Sequence, residues 1–583
     1  MGEVLKRWGS WLGALAVVAV SVGVYFPAAR LDPEPYHDGA QVAPAVAVSS
    51  GMAIHREVFD AYGPITAWLQ GSAMAIFGPT VLTARILTAV LLVICAVLLF
   101  LVIQVLGRGV LVAVGGSLLW VLMWPGGAIM WGTPLLPWPS VTFLALQLAA
   151  VLLLLRRSRS STSKPWILGA VGVVLSLGAL TRPNYGVPLA GAALLGLSLL
   201  ARPLAVVVRE WGALAIGLFV GLGVPVAALM ATNSLVPFLD QAIIGPLTGE
   251  SDATSNGTSW FYWENAYLWA SVPLIIGMLG VIALSRWSKR PRWLVPAASL
   301  AGIVLLTLWA SSALESSPVR NMILSRLTWA PALDGQIAQP MFVSALFTVF
   351  AFMAAVVAVV ILLLRRKGHP PPSGSEAALF TLLVLTAVAS LAQLYPIADP
   401  NHLWWAAPLP LALTILLLGQ VRSQQARVWA TAVFLVPTLV LAPLSIYRYF
   451  TQPRIELTDG VLQGMLLASD RYGSYLAVDD WLRELPDRSA EFSCEQGLFA
   501  VWNGSYLADS PSFVNWSHRM DSADPGTPTG RVIRCTYPYD QLSPEEFAAS
   551  RDLTIVRSLP EVSLSYFTTI RLDDMVPNAS GQQ

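Results

Sequence analysis

The sequence predicts a polytopic α-helical membrane protein of about thirteen spans, followed by a smaller mixed α/β domain outside the membrane. Three observations carry that fold class. The 583 residues are 55% hydrophobic and 12% charged, with a mean hydropathy of +0.64, against roughly 25% charged residues in an ordinary soluble domain. Apolar runs near the bilayer-spanning length of about 20 residues recur from Trp8 to Tyr447. Basic clusters occupy every second connection between them. A soluble enzyme, a single-anchor receptor and a disordered chain are excluded. So is a β-barrel, because its strands are short and alternating, whereas Thr80 to Leu106 and Met341 to Leu364 are continuous apolar stretches. The net charge of +1 carries no nucleic-acid signal.

The spans are expected at about 9–27, 80–106, 110–125, 138–155, 165–181, 186–201, 211–231, 267–285, 293–311, 341–364, 377–395, 403–419 and 428–446. Lys6-Arg7, Arg108, Arg156 to Lys164, Arg202 with Arg209, Arg286 to Arg292, Arg365 to Lys367, and Arg422 with Arg427 lie in alternate connections. The positive-inside rule makes those connections cytoplasmic. All four lysines fall there, and 31 of the 34 acids fall on the other side, the exceptions being Glu3, Glu210 and Glu376. The expected location is therefore the plasma (inner) membrane, with the N-terminus inside and the C-terminus outside, an arrangement that requires an odd number of spans. The first span, preceded by a short basic segment, reads as an uncleaved signal anchor.

On the outer side, the segment 28–79 contains two stretches too short or too polar to span, Val42 to Val48 and Ile65 to Phe77. Both are expected to be helices lying on the membrane face. The tail, residues 448–576, is long enough for one globular domain. Within it Arg531 to Thr536 and Leu553 to Arg557 have strand character and Val478 to Leu485 reads as helical, while 577–583 is expected to be disordered. Cys95, inside the second span, reads as packing. Cys494 and Cys535 lie in the tail, on the oxidising side, and are expected to form one disulfide. The cytoplasmic loops contain no phosphate-cradling glycine motif, which leaves ATP-driven transport without support.

Four constellations offer chemistry. Tyr36-His37-Asp38-Gly39 sets a carboxylate beside an imidazole just beyond the first span, which suits a general base or a metal ligand. A turn or N-cap opening a helix at Ala40 is the competing reading. In Arg56 to Pro64, Glu57 and Asp60 either share a helix face or form a solvated surface, and Tyr62-Gly63-Pro64 reads as a turn into the next helix. Tyr395 to His402 supplies Asp399 and His402, either facing a cavity or capping a helix. Thr181-Arg182-Pro183-Asn184-Tyr185 places a cation at membrane depth, a functional-site hypothesis by default. Its ligand would be anionic, such as a phosphate held by the guanidinium fork. Arg85, Arg320 and Arg326 could serve the same purpose or anchor headgroups.

In order and topology these segments resemble the GT-C superfamily of integral-membrane glycosyltransferases, in particular bacterial relatives of protein mannosyltransferases and arabinosyltransferases. The resemblance rests on His37-Asp38-Gly39, Val58 to Pro64, Ile76-Phe77-Gly78-Pro79-Thr80 and Thr83-Ala84-Arg85, with Thr181 to Asn184 and Tyr395 to His402 as further landmarks. It covers about residues 5–446 of the membrane domain, which is expected at 1–447, and not the tail. It implies inverting transfer of a sugar from a polyprenyl-phosphate donor to a hydroxyl of an envelope glycan, lipid or protein on the outer face. Asp38 is then the base and Arg182 holds the phosphate. His37, Asp60, Tyr62, Arg85, Asn184, Asp399 and His402 bind or orient substrate.

Two features depart from the family pattern. The mannosyltransferase-like branch has an Asp-Glu pair where this chain has His37-Asp38. No acid occurs between Asp60 and Glu210, so a carboxylate-rich divalent-metal site like that of oligosaccharyl transferases has no support. No metal or other cofactor is assigned. Two rival readings are a secondary transporter or flippase of envelope precursors, and a noncatalytic scaffold binding envelope glycan through Trp502, Tyr506, Trp516, Tyr537 and Tyr539.

Overall fold

The computed structural model describes residues 2–122, 124, 135–159, 165–198, 204–245, 374–394, 400–418, 450–451, 453–485, 491–493, 531–536, 543–563 and 569–578. The membrane region comprises α1 (Gly2–Ala29), α2 (Pro35–Ser49), α3 (Pro64–Phe77), α4 (Val81–Val105), α5 (Val110–Leu122), α6 (Pro139–Arg159), α7 (Pro165–Thr181), α8 (Pro183–Ser198), α9 (Leu204–Ala231), α10 (Leu235–Leu239), α11 (Gly374–Ser390), α12 (Pro400–Ala406) and α13 (Pro408–Leu418). Trp8–Ala29, Val81–Val105, Pro139–Arg159 and Ala205–Ala231 are long and apolar enough to cross a membrane. The spans expected at 267–285, 293–311, 341–364 and 428–446 lie outside the described residues.

Apolar side chains from α1, α4, α5, α6, α11 and α13 form one core, with Phe100, Trp120 and Leu144 at its centre. Trp120 and Trp404 stack with ring centroids 4.8 Å apart, and each indole N–H donates to the other's backbone carbonyl. A second core joins α6 to α7, α8 and α9. Helices α7 and α9 approach until their backbones touch. A Cβ on Gly217 would lie 1.9 Å from the Gly169 carbonyl oxygen, and one on Gly172 would lie 2.3 Å from that of Leu214. Close crossings of this kind use glycine because membrane helices gain by backbone contact.

The outer segment differs from expectation at its start. α2 begins at Pro35, not Ala40, with Glu34 as its N-cap and proline at the first helical position. The Glu34 side chain accepts from His37 N at 2.5 Å, and Asp38 Oδ2 accepts from Glu34 N at 2.7 Å. Asp38 thus sits inside the first turn. α3 is capped by Gly63 and Pro64 and packs antiparallel on α2, where Gly71 leaves room for Val48.

The tail contains β1 (Arg454–Glu456), β2 (Leu466–Ala468), α14 (Tyr472–Arg483), β3 (Glu491–Ser493), β4 (Val532–Thr536), α15 (Pro544–Ser550), β5 (Leu553–Ser563) and β6 (Thr569–Pro577). β1 and β2 pair antiparallel. The other four form a sheet in the order β3-β4-β6-β5, parallel only between β3 and β4. Pro577, expected in a disordered terminus, instead pairs with Leu553, and Asn578 N donates to Asp552 O at 2.9 Å. Cys535 is disulfide-bonded and Cys95 is a free buried thiol. Cys494, its expected partner, lies outside the described residues. The tail packs its apolar side onto the outer segment: Val42, Val46, Met74 and Val81 share one core with Met465, Leu467, Tyr475, Trp481 and Leu572.

Gly217→Ala should force α9 away from α7 and lower stability by about 1–3 kcal/mol, read as a fall in the unfolding temperature of the detergent-solubilised protein.

Candidate functional site

Two arginines stand at the outer ends of the helices, and their surroundings are opposite. Arg85, one turn into α4, is completely buried against Asp38. Its Nε donates to Asp38 Oδ1 at 2.9 Å and its Nη2 to Asp38 Oδ2 at 2.5 Å, a bidentate pair. Nη1 donates to Leu31 O at 2.6 Å and Nη2 also to Asp32 O at 3.3 Å. The guanidinium therefore ties the end of α1 and the start of α2 to α4. Burial pushes the Asp38 carboxyl up, while the Arg85 charge and hydrogen bonds and the Glu34 N–H pull it down.

All three guanidinium nitrogens of Arg85, expected from the sequence to bind substrate, are engaged within the protein. Asp38, read from the sequence as the base, is completely buried and holds Arg85 in place.

Arg182, between α7 and α8, is also buried, with 3% of its surface exposed. Its guanidinium carbon lies 4.1 Å from the centroid of the Tyr185 ring and 4.6 Å from that of Tyr62. Nη1 donates to Ser140 Oγ at 2.5 Å, and Nε has no hydrogen-bond partner. Among the described residues no carboxylate pairs with it. A buried cation without a counter-ion is costly, and an incoming anion removes that cost.

The chain places the Tyr62 ring there by a close backbone contact. Gly63 N donates to Thr181 O at 3.1 Å, and a Cβ on Gly63 would lie 1.6 Å from Leu180 O. Only glycine permits the loop before α3 to rest on the end of α7 in this way. Trp138, at the start of α6, then lies edge-on to Tyr62 at 5.6 Å and tilted against His37 at 5.4 Å. His37 Nδ1 is 2.8 Å from Glu34 Oε2. Arg182, Tyr62, Trp138 and His37 thus form one contiguous aromatic and cationic surface.

Asp60 opens the same loop. Its Oδ1 accepts from Tyr62 N at 2.9 Å, and its own N–H donates to Gln241 Oε1 at 3.3 Å. Gln241 lies in a π-helical turn, Asp240–Ile244, and also meets the His55 ring at 3.0 Å. Among the described residues no cation pairs with Asp60. Burial pushes its carboxyl up to about 8, against the pull of the Tyr62 N–H. Burial likewise lowers the imidazole of His55 to about 4, so it is neutral at pH 7.

Of the remaining expected residues, Asn184 is exposed, whereas Tyr185 beside it is buried and makes the contact with Arg182. His402 is buried in α12 with its ring edge-on to Trp405 at 5.0 Å. It connects to Arg182 indirectly: Tyr185 donates to Gln393 O at 3.3 Å, and Gln393 Nε2 to Trp405 O at 3.3 Å. Asp399 lies outside the described residues, as do Arg320 and Arg326. Among the described residues no three His, Cys, Asp or Glu side chains stand together as a metal site. Trp138, Ser140 and Gln241 were not legible as site residues; the Leu136-Pro137-Trp138-Pro139 run, with prolines on both sides of a tryptophan at the mouth of a span, is the one signal that pointed to any of them.

Arg85→Met strands the Asp38 carboxylate and should cost about 3–5 kcal/mol, while Arg85→Met combined with Asp38→Leu should recover most of that loss. Thermal unfolding of the three proteins in the same detergent measures both effects.

No protein-family model matches the chain, and no curated protein matches it. Solved structures do. The oligosaccharyltransferase of Archaeoglobus fulgidus, crystallised with zinc and sulfate, superposes over 90% of this chain and 67% of its own, with a TM-score of 0.50 and 11% identity. ArnT from Cupriavidus metallidurans, bound to undecaprenyl phosphate, aligns over 97% of this chain and 98% of its own, with a TM-score of 0.43 and 13% identity. The likeness to the oligosaccharyltransferase shows that the two chains share a fold.

Proposed function

We propose that the protein is an inverting glycosyltransferase that moves a sugar from a polyprenyl-phosphate donor to an acceptor hydroxyl on the outer face of the membrane. The observation that carries this reading is Arg182: a guanidinium 3% exposed, held between two tyrosine rings, with Nε unpartnered and no carboxylate pairing with it among the described residues. Such a site favours a phosphate carried on a lipid, which reaches it from the bilayer. The fold shared with the oligosaccharyltransferase supports the same reading. Trp138 and Tyr62, next to the guanidinium, offer faces against which a sugar ring can lie.

The base is proposed at Asp60, not Asp38. Asp38 is enclosed by Arg85 and the Glu34 N–H, whereas Asp60 meets no cation among the described residues and is near half-ionised at pH 8. In the reaction the acceptor oxygen attacks the anomeric carbon and its proton passes to Asp60. The bond from that carbon to the phosphate oxygen breaks on the opposite face, and the oxygen keeps the electron pair. Arg182 meets the charge that develops there. Asp38 keeps Arg85 and the start of α2 in position. His402, coupled to Arg182 through Trp405, Gln393 and Tyr185, is proposed to orient substrate, as is Asp399.

Transfer of radiolabelled sugar from a panel of polyprenyl-phosphate donors tests the reading, in membranes holding matched amounts of each variant. Arg182→Met should raise KM for the donor at least about tenfold. Asp60→Asn should lower kcat by about 100- to 10,000-fold. A base must be ionised to act, so wild-type kcat/KM should rise with pH and level off above about 8. If Asp60→Asn keeps the wild-type kcat while Asp38→Asn is inactive, at matched folded protein, the base is Asp38 and the pair with Arg85 opens during the reaction.

A further inference from the structure

The segment that leads from α1 into the site does not stand alone. Leu31 makes one parallel bridge to Leu466 of β2: Asp32 N donates to Leu466 O at 2.8 Å and Leu466 N to Arg30 O at 2.6 Å. Arg30 Nε donates to Gly464 O at 3.1 Å. Asp32 has a φ of +42°, in the left-handed region that aspartate tolerates better than most residues. That conformation presents its two ends to different partners. The carboxylate accepts from Arg454 Nη2 at 3.0 Å, Arg454 Nε at 3.3 Å and Ala468 N at 2.9 Å. The carbonyl accepts from Arg85. One residue further, Pro33 O accepts from the Tyr475 hydroxyl at 2.8 Å.

Both side chains of the Asp32–Arg454 pair are buried, at 5% and 4% exposure. The residues they hold are the six immediately before Asp38, including Glu34, whose carboxylate positions His37 against Trp138. The carbonyls that Arg85 needs, on Leu31 and Asp32, belong to the same segment. The C-terminal segment therefore fixes the main chain from which this wall of the site is built.

We propose that Arg454 is a positioning residue for the transfer reaction: through Asp32 the C-terminal segment sets the place of the Glu34–His37–Asp38 turn, and the site works only while this clamp is closed. The proposal rests on the glycosyl-transfer reading for its kinetic consequence, but not for its mechanical one. Arg182, which receives the donor phosphate, lies in different elements, so donor binding should survive release of the clamp while turnover falls.

The test uses the full-length protein with Arg454→Met, Arg454→Lys, and Arg454→Met combined with Asp32→Asn. The last variant removes both charges and guards against misfolding of the first. Two quantities are measured per folded molecule: hydrogen exchange over residues 30–41, and kcat and KM for the polyprenyl-phosphate sugar. In Arg454→Met, exchange over 30–41 should rise while that of α4 stays at the wild-type level. kcat should fall about a hundredfold with KM for the donor within twofold, and Arg454→Lys should restore most of it. A uniform loss of folded protein, which a purely structural role predicts, moves neither ratio. Unchanged exchange over 30–41 overturns the proposal, and so does raised exchange with kcat unchanged. If the wild-type protein transfers no sugar from any donor, the glycosyl-transfer reading fails; a local rise in exchange then still supports the clamp, and its absence overturns it.

Discussion

The outer architecture depends on one buried ion pair. Arg85 and Asp38 are each completely inaccessible, and the guanidinium that binds the carboxylate also binds the carbonyls of Leu31 and Asp32. Removing a carboxylate and a guanidinium from water is expensive, and only a near-complete set of hydrogen bonds offsets it. Here that set is supplied by backbone at the end of α1 and at the N-cap of α2. The pair can form only when α1, α2 and α4 are in register. It is thus a specificity device at the point where the chain leaves the membrane and turns back.

Arg182 is the counterpart in which the same side chain type has no carboxylate partner among the described residues. Its partners are the faces of Tyr62 and Tyr185 and one hydroxyl, Ser140. Aromatic faces stabilise a cation but do not neutralise it, so the positive charge stays available to a ligand. The two arginines thus differ in what surrounds them, although both lie at helix ends and both are buried. Asp60 follows the same logic with the opposite sign. Burial raises the proton affinity of both carboxyls; at Asp38 the Arg85 charge and hydrogen bonds and the Glu34 N–H oppose it, whereas among the described residues only the Tyr62 N–H opposes it at Asp60.

Much of the membrane architecture was legible in the sequence. The apolar runs of 80–106, 138–155 and 165–181 correspond closely to α4, α6 and α7, because a span must satisfy its backbone internally and is therefore a helix. The strand character expected at Arg531 to Thr536 and Leu553 to Arg557 was legible for similar local reasons, although the second strand runs on to Ser563. What the sequence did not reveal depends on distance along the chain. Arg85 and Asp38 are separated by 47 positions and no spacing rule links them. The start of α2 was placed too late because the cap is a glutamate, and because Asp38 reaches back to it. Trp138 enters the site only through the fold, as does Gln241.

The bridge between Leu31 and Leu466 has a consequence for the order in which the protein is made. These residues leave the ribosome early, and their partners in β2 follow more than 430 positions later. Domains generally fold as they emerge, N-terminal parts first. For this protein the first outer segment must wait, through the insertion of the intervening helices, for a strand that does not yet exist. Arg85 can meet Asp38 in the meantime, but the Asp32 carboxylate has no Arg454 to bind. A chain that stops before β2 lacks both the bridge from Leu466 to Leu31 and the Arg454 partner of Asp32.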